Sequence, residues 1–168
     1  MDILYSMRLQ ARFNRWSNSR ILECCDDLRD TERKQEIPGP QAWSIHGLLN
    51  QMLLQDRIWL GRMLNKPYVY RSLDQVLYTE YALLRTERLR TDSEIMNFVQ
   101  NLAYPNLDRQ ISFRHERSQR ECTLLLGDCL LGMLHHQSLQ RGRMTVLLSQ
   151  LGVSMAPLNM SAMPGIVE

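Results

Sequence analysis

His136 and Gln140 are the pair whose type and spacing bear most directly on chemistry. They lie four apart in the run His136-Gln137-Ser138-Leu139-Gln140-Arg141-Gly142-Arg143. Side chains four apart on a helix point the same way, so two imidazoles so placed can grip one divalent ion. Here the second position is a carboxamide. Its oxygen is neutral and weakly basic, a poor ligand for zinc or nickel. The other histidines lie elsewhere in the pattern. His135 is one residue from His136, about 100° of helical rotation away. His46 falls near the start of a helical segment, and His115 falls in a segment of different period.

The elements that must position this pair read as helices nearly throughout. A first segment, about Asp2 to Asp30, carries the stripe Leu4, Met7, Ala11, Asn14, Asn18, Ile21, Cys25 and Leu28. Two asparagines on such a stripe need partners, because burying an unpaired amide is costly. They either bond to each other and to a neighbouring helix, or they line a polar cavity. Asp30 to Pro40 reads as a linker, broken by Pro38-Gly39-Pro40. A second helix, about Ser44 to Asn65, shows Ile45, Leu48, Leu49, Met52, Asp56, Trp59 and Met63 on one side, and Lys66-Pro67 ends it. Ser72-Leu73-Asp74-Gln75 reads as a capping box that opens a third helix running to about Ala103. Arg109 to Thr123 alternates and reads as a hairpin. The fourth helix, about Leu125 to Leu151, presents Met133, His136, Gln140, Met144, Leu147 and Leu151, with Gly152 as its stop. The tail from Val153 to Glu168 shows no period.

Composition narrows the function. The 168 residues read as one domain, 1–168, with a single core. The net charge of +2 argues against a nucleic-acid surface. No apolar run is long enough to span a membrane. The N-terminal residues show no secretory pattern, so the expected location is cytoplasmic. Cys24, Cys25, Cys122 and Cys129 contain no Cys-x-x-Cys pair, and they read as packing thiols rather than a zinc cage or a disulfide framework. A reactive thiol at Cys24 or Cys25 is the functional alternative.

On the expected core stripes, His136 and Gln140 would meet Gln51 and Gln55 of the second helix and Asn14 or Asn18 of the first. Four helices would then present a polar floor to a central cavity. The plainer reading makes His136 a hydrogen-bonded structural histidine. Gln51 and Gln140 would bond to it and to Asn14, and Arg141 would pair with Asp56.

Three stretches carry a resemblance. Asn14-Arg15-Trp16-Ser17-Asn18, the run from Trp43 to Leu60, and the run from His136 to Arg143 together resemble the DinB branch of the DinB/YfiT-like metalloenzyme superfamily. The last run is similar to that family's His-x-x-x-His-Arg-Gly-Gln motif, without its second histidine and closing glutamine. The resemblance implies an all-α, DinB-like four-helix bundle with a crossover connection, beside which the alternation above places a short β-hairpin before the last helix. It implies a homodimer. It also implies a zinc or nickel site with Gln51, His136 and Gln140 at the three ligand positions, of which only His136 keeps the imidazole.

Three functions follow as expectations. The first is a metal-free or weakly metal-binding bundle that binds a small molecule. The second is a metal-dependent transferase of a low-molecular-weight thiol. The third is a dimeric interaction protein without catalysis. No tightly bound metal is expected.

Overall fold

The computed structural model describes residues 2–38 and 43–166. Four long helices form a bundle: α1 (Ile3–Asp26), α3 (Ile45–Met63), α4 (Tyr81–Gln100) and α6 (Leu126–Gln150). Between them lie two short helices, α2 (Asp30–Lys34) and α5 (Tyr104–Leu107), and the strands β1 (Gln110–Arg114) and β2 (Glu121–Leu125). Each of α1 and α3 packs against both α4 and α6, so α1 faces α3 across the diagonal. The expected all-α bundle, with its hairpin before the last helix, is therefore observed. No described helix is long and apolar enough to cross a membrane.

Local chemistry sets the helix ends. Asp2 caps α1 by accepting from the Leu4 amide at 2.8 Å, and Ser44 caps α3 by accepting from the Gly47 amide at 2.9 Å. Each satisfies a donor that has no intrahelical partner. The α6 stop is Gly152, with φ of 77°. There the Val153 amide reaches the Leu148 carbonyl at 2.9 Å, as in a Schellman cap. Asn65 plays the same part after α3, with φ of 55° and Lys66 N on Gly61 O at 2.8 Å. The hairpin pairs Ile111 with Leu124 and Phe113 with Cys122. Its Phe113 ring meets Trp59 edge-on, 5.1 Å between centroids.

The third helix begins later than its sequence suggests. Ser72 to Gln75 forms a turn, and α4 starts at Tyr81. The physical reason is Asn50. Its Oδ1 accepts from the Leu77 and Tyr78 amides at 2.8 and 2.9 Å, and its Nδ2 donates to the Tyr78 carbonyl at 3.1 Å. A buried side chain on α3 thus satisfies backbone groups that a helix would otherwise have satisfied. The linker also holds more structure than expected. It contains α2, and Ile37 bridges to Trp43. Gly39 and Pro40 of the expected breaker lie outside the described residues.

The apolar core has two parts. One gathers Leu4, Met7, Leu60, Ile95, Val99 and Leu130. The other gathers Ile21, Leu22, Leu48, Leu53, Leu84 and Leu148. Each such side chain stabilises the fold by about 1.5–3 kcal/mol through burial. All four helices interrupt their apolar stripes at the same level, between these two clusters.

Candidate functional site

Polar side chains fill that level. Asn14, Ser17 and Asn18 come from α1, Asp56 from α3, Arg88, Thr91 and Asp92 from α4, and Gln137, Gln140 and Arg141 from α6; all are buried. Arg88 Nη2 lies 2.7 Å from Asp56 Oδ2 and 2.6 Å from Asp92 Oδ1. Asn18 Nδ2 donates to Asp92 Oδ1 at 2.9 Å. Gln137 Nε2 donates to Asp56 Oδ1 at 2.6 Å. Arg141 donates to Asn14 Oδ1, to Asn18 Oδ1 at 3.2 Å and to Ser138 Oγ at 3.0 Å. Two carboxylates and two guanidiniums thus balance inside the bundle.

The balance is incomplete in detail. Arg88 Nε and Nη1, Asp92 Oδ2 and Gln137 Oε1 are buried without a hydrogen-bond partner among the described residues. Such a layer costs desolvation that an apolar layer would not, so it fixes how the helices meet more than it adds stability. Burial pushes Asp92 up to about 6, against the pull of Arg88. Burial raises Asp56 as well, and lowers Arg141 to about 10.

A second constellation lies further along α6. Arg143 Nη1 donates to Gln140 Oε1 at 3.1 Å. Arginine has no acceptor, so this bond fixes which end of the amide is oxygen. The Gln140 Nε2 therefore faces His136 Nε2, at 3.0 Å. An amide nitrogen only donates, so His136 Nε2 accepts and the ring proton sits on Nδ1. The result is a directed relay, Arg143 to Gln140 to His136. His136 is half-buried, and its pKa is held below the ordinary histidine value by burial and by Arg143, with Asp56 opposing.

A cleft of about 660 Å³ is lined by Trp43, Ser44, Gly47 and Gln51, and by Glu36 and Asp74 among others. The Arg143 guanidinium carbon lies 4.7 Å from the centroid of the Trp43 ring, a cation–π contact that ties relay to cleft.

The expected site residues are therefore distributed. His136 and Gln140 are joined directly. Asn14 belongs to the buried layer, bonded to Arg141. Gln51 lines the cleft, and among the described residues no hydrogen bond joins it to His136 or Gln140. Gln55 is half-buried on α3. On the expected α6 stripe Met133, Gln140, Met144 and Leu147 are buried, whereas His136 is half-buried and its neighbour Gln137 is fully buried. Asp56 pairs with Arg88, not Arg141. Sequence reasoning missed Arg88, Asp92, Gln137 and Arg143. The Arg88 and Asp92 spacing of four was the available signal. Cys24 is half-buried and Cys25 buried, and burial raises both thiols, Cys25 to about 12. Neither environment favours a thiolate.

The sequence model of the DinB family matches residues 5–164. The chain belongs to the DinB family. Its fold is shared by solved DinB-type structures. YfiT from Bacillus subtilis, described as a probable metal-dependent hydrolase with an unusual four-helix bundle topology, superposes with a TM-score of 0.66. That match covers 86% of this chain and 87% of YfiT at 9% identity. A DinB-like protein from Bacillus cereus superposes with a TM-score of 0.63, covering 92% and 94% of the two chains at 18% identity. Identities this low bear on fold alone. No curated protein matches the chain.

The metal that the DinB family implies can be tested against the donors. Gln140 Oε1, the atom a metal would need, is taken by Arg143. The His136 Nε2 lone pair is taken by Gln140. A guanidinium stands beside both. Among the described residues no group of three or more His, Cys, Asp or Glu side chains is placed to hold an ion. The donor set does not fit zinc or nickel.

Proposed function

We propose that this DinB-family chain is a metal-independent small-molecule-binding protein whose ligand enters the cleft at Trp43 and Gln51. The observation that carries the reading is the Arg143–Gln140–His136 relay. It engages the atoms a metal would use with internal hydrogen bonds, and its Arg143 stacks on Trp43, which lines an open cleft of a size usual for small ligands.

Ligand-observed NMR with a set of small organic fragments, in the presence of a chelator, tests this. Fragments should bind, and should stop binding when Gln51→Trp fills the cleft. Binding that appears only after zinc or nickel is added would contradict the reading. Turnover of a low-molecular-weight thiol with an electrophile, lost in His136→Ala, would replace the binder with the transferase.

One observation favours a second reading. Leu139 and Val146, seven residues apart on α6, are each 56% exposed. Their helix face suits a homodimer, and light scattering across micromolar concentrations tests it. A monomer throughout would remove this reading and leave the first untouched.

A further inference from the structure

Arg143 is an exposed residue held in a fixed pose. Trp43 lies under its guanidinium, and Gln140 takes one hydrogen bond from Nη1. Its Nε and Nη2 donors make no hydrogen bond or ion pair among the described residues. Those two atoms form the side-on edge of the guanidinium, the edge whose two parallel N–H groups match the two oxygens of a carboxylate. Stacking and the Gln140 bond have already removed much of the freedom that such a side chain loses on binding.

The arginines of the buried layer and of α3 are differently placed. Arg88 spends Nη2 on Asp56 and Asp92, Arg57 meets Glu87, and Arg62 meets Glu116. Arg143 combines an aromatic support, an open fork and the absence of an acidic partner among the described residues. The ring that supports it lines the cleft.

The rest of the cleft limits the charge of the ligand. Glu36 and Asp74 are exposed on the lining. They would repel a dianion such as phosphate more strongly than a monoanion, and they tolerate a neutral or cationic group at the other end of a ligand. The half-buried Gln51 side chain makes no hydrogen bond among the described residues, and it adds a neutral donor and acceptor between the two ends.

We infer that the cleft takes a small organic monocarboxylate, gripped side-on by Nε and Nη2 of Arg143. The inference rests on the reading of the cleft as the ligand site, and names the chemical class that this site accepts. Arg143 stands where the resembling motif has glutamine. The change exchanges a region suited to a cation for one suited to an anion.

The test is an NMR titration of the full chain, with a chelator present, using benzoate and its neutral isostere benzamide. Benzoate should shift the Trp43 indole and Gln140 side-chain signals and bind more tightly than benzamide. Its affinity should fall with added salt. Arg143→Met should weaken benzoate by roughly ten- to a hundredfold, the usual effect of losing a hydrogen bond to a charged group, and leave benzamide unchanged. Arg143→Lys keeps the charge without the fork and should recover only part of the loss. Equal affinity for the two compounds in the natural chain overturns the inference without recourse to any variant. So does benzoate binding that Arg143→Met leaves intact. In either case, loss of both compounds in Gln51→Trp would show that the cleft reading survives. Failure of both compounds to bind would overturn the carboxylate and count against the cleft with it.

Discussion

Gln140 Nε2 lies 3.0 Å from His136 Nε2, and the amide is turned that way because Arg143 holds its oxygen. Two residues four apart, the spacing at which a metal would be shared, instead share a hydrogen bond. The pair is self-satisfied, and the cation beside it belongs to the chain.

Arg88 is the hinge of the buried layer. Replacing it with methionine would leave Asp56 and Asp92 in the core without the cation they share. Arg88→Met should cost about 3–5 kcal/mol, the range for breaking one side of a buried ion pair. Arg20→Ala, which removes an exposed pair with Glu23, should cost less than about 1 kcal/mol. Urea unfolding of the two variants measures the contrast. Equal losses would show that the layer is worth no more than surface charge.

Gly61 permits the chain to turn back against α3. A Cβ there would stand 2.7 Å from the Lys66 carbonyl oxygen and 2.9 Å from the Tyr68 amide. Both neighbours are backbone and cannot swing aside. Gly61→Ala should therefore destabilise by about 1–3 kcal/mol, although alanine is the better helix former. A gain in stability on thermal unfolding would mean that the 64–68 segment moves freely.

Much of this architecture was legible in the sequence, and the reasons differ by residue. The stop at Gly152 and the alternation at Ile111 and Phe113 are local signals, and the fold follows them. Asn14, Asn18 and Asp56 stood out as polar residues on apolar stripes. Their partners Arg88 and Asp92 did not, because a charged pair four apart on a helix is usually a solvated face. The Ser72 to Gln75 turn was misread because its outcome is decided by Asn50, far away in sequence. Arg143 was passed over because only the folded chain sets it against Trp43 and Gln140.

Asp92 gives a pH signature. Its folded-state pKa is raised to about 6 from an ordinary 3.8. The folded chain therefore holds this proton more tightly than the unfolded chain does. The stability it contributes is present below about pH 4 and is lost as pH rises through about 6. Asp92→Asn has no such proton, so the stability of the natural chain relative to the variant should decline across that window. Chemical denaturation at several pH values reads the difference. A relative stability that rises over the same window would mean that Arg88 holds Asp92 ionised.

Restoring imidazoles should restore a metal. Gln51→His with Gln140→His should bind zinc, with affinity weakening below about pH 6.5 as the rings protonate. At a hundredfold excess over Kd, the metal should stabilise the variant by about 2.7 kcal/mol. Adding Arg143→Gln removes the neighbouring guanidinium and should tighten binding further. If the third change has no effect on zinc titrations, Arg143 does not shape the field at this site.

The most direct measurement is the metal content of the natural chain, purified without a metal-affinity tag. The relay from Arg143 through Gln140 to His136 predicts well under one equivalent of zinc or nickel by elemental analysis, unchanged by His136→Ala. Stoichiometric zinc or nickel that disappears in His136→Ala would contradict it, and would make the metal, rather than the relay, the organising feature of the site.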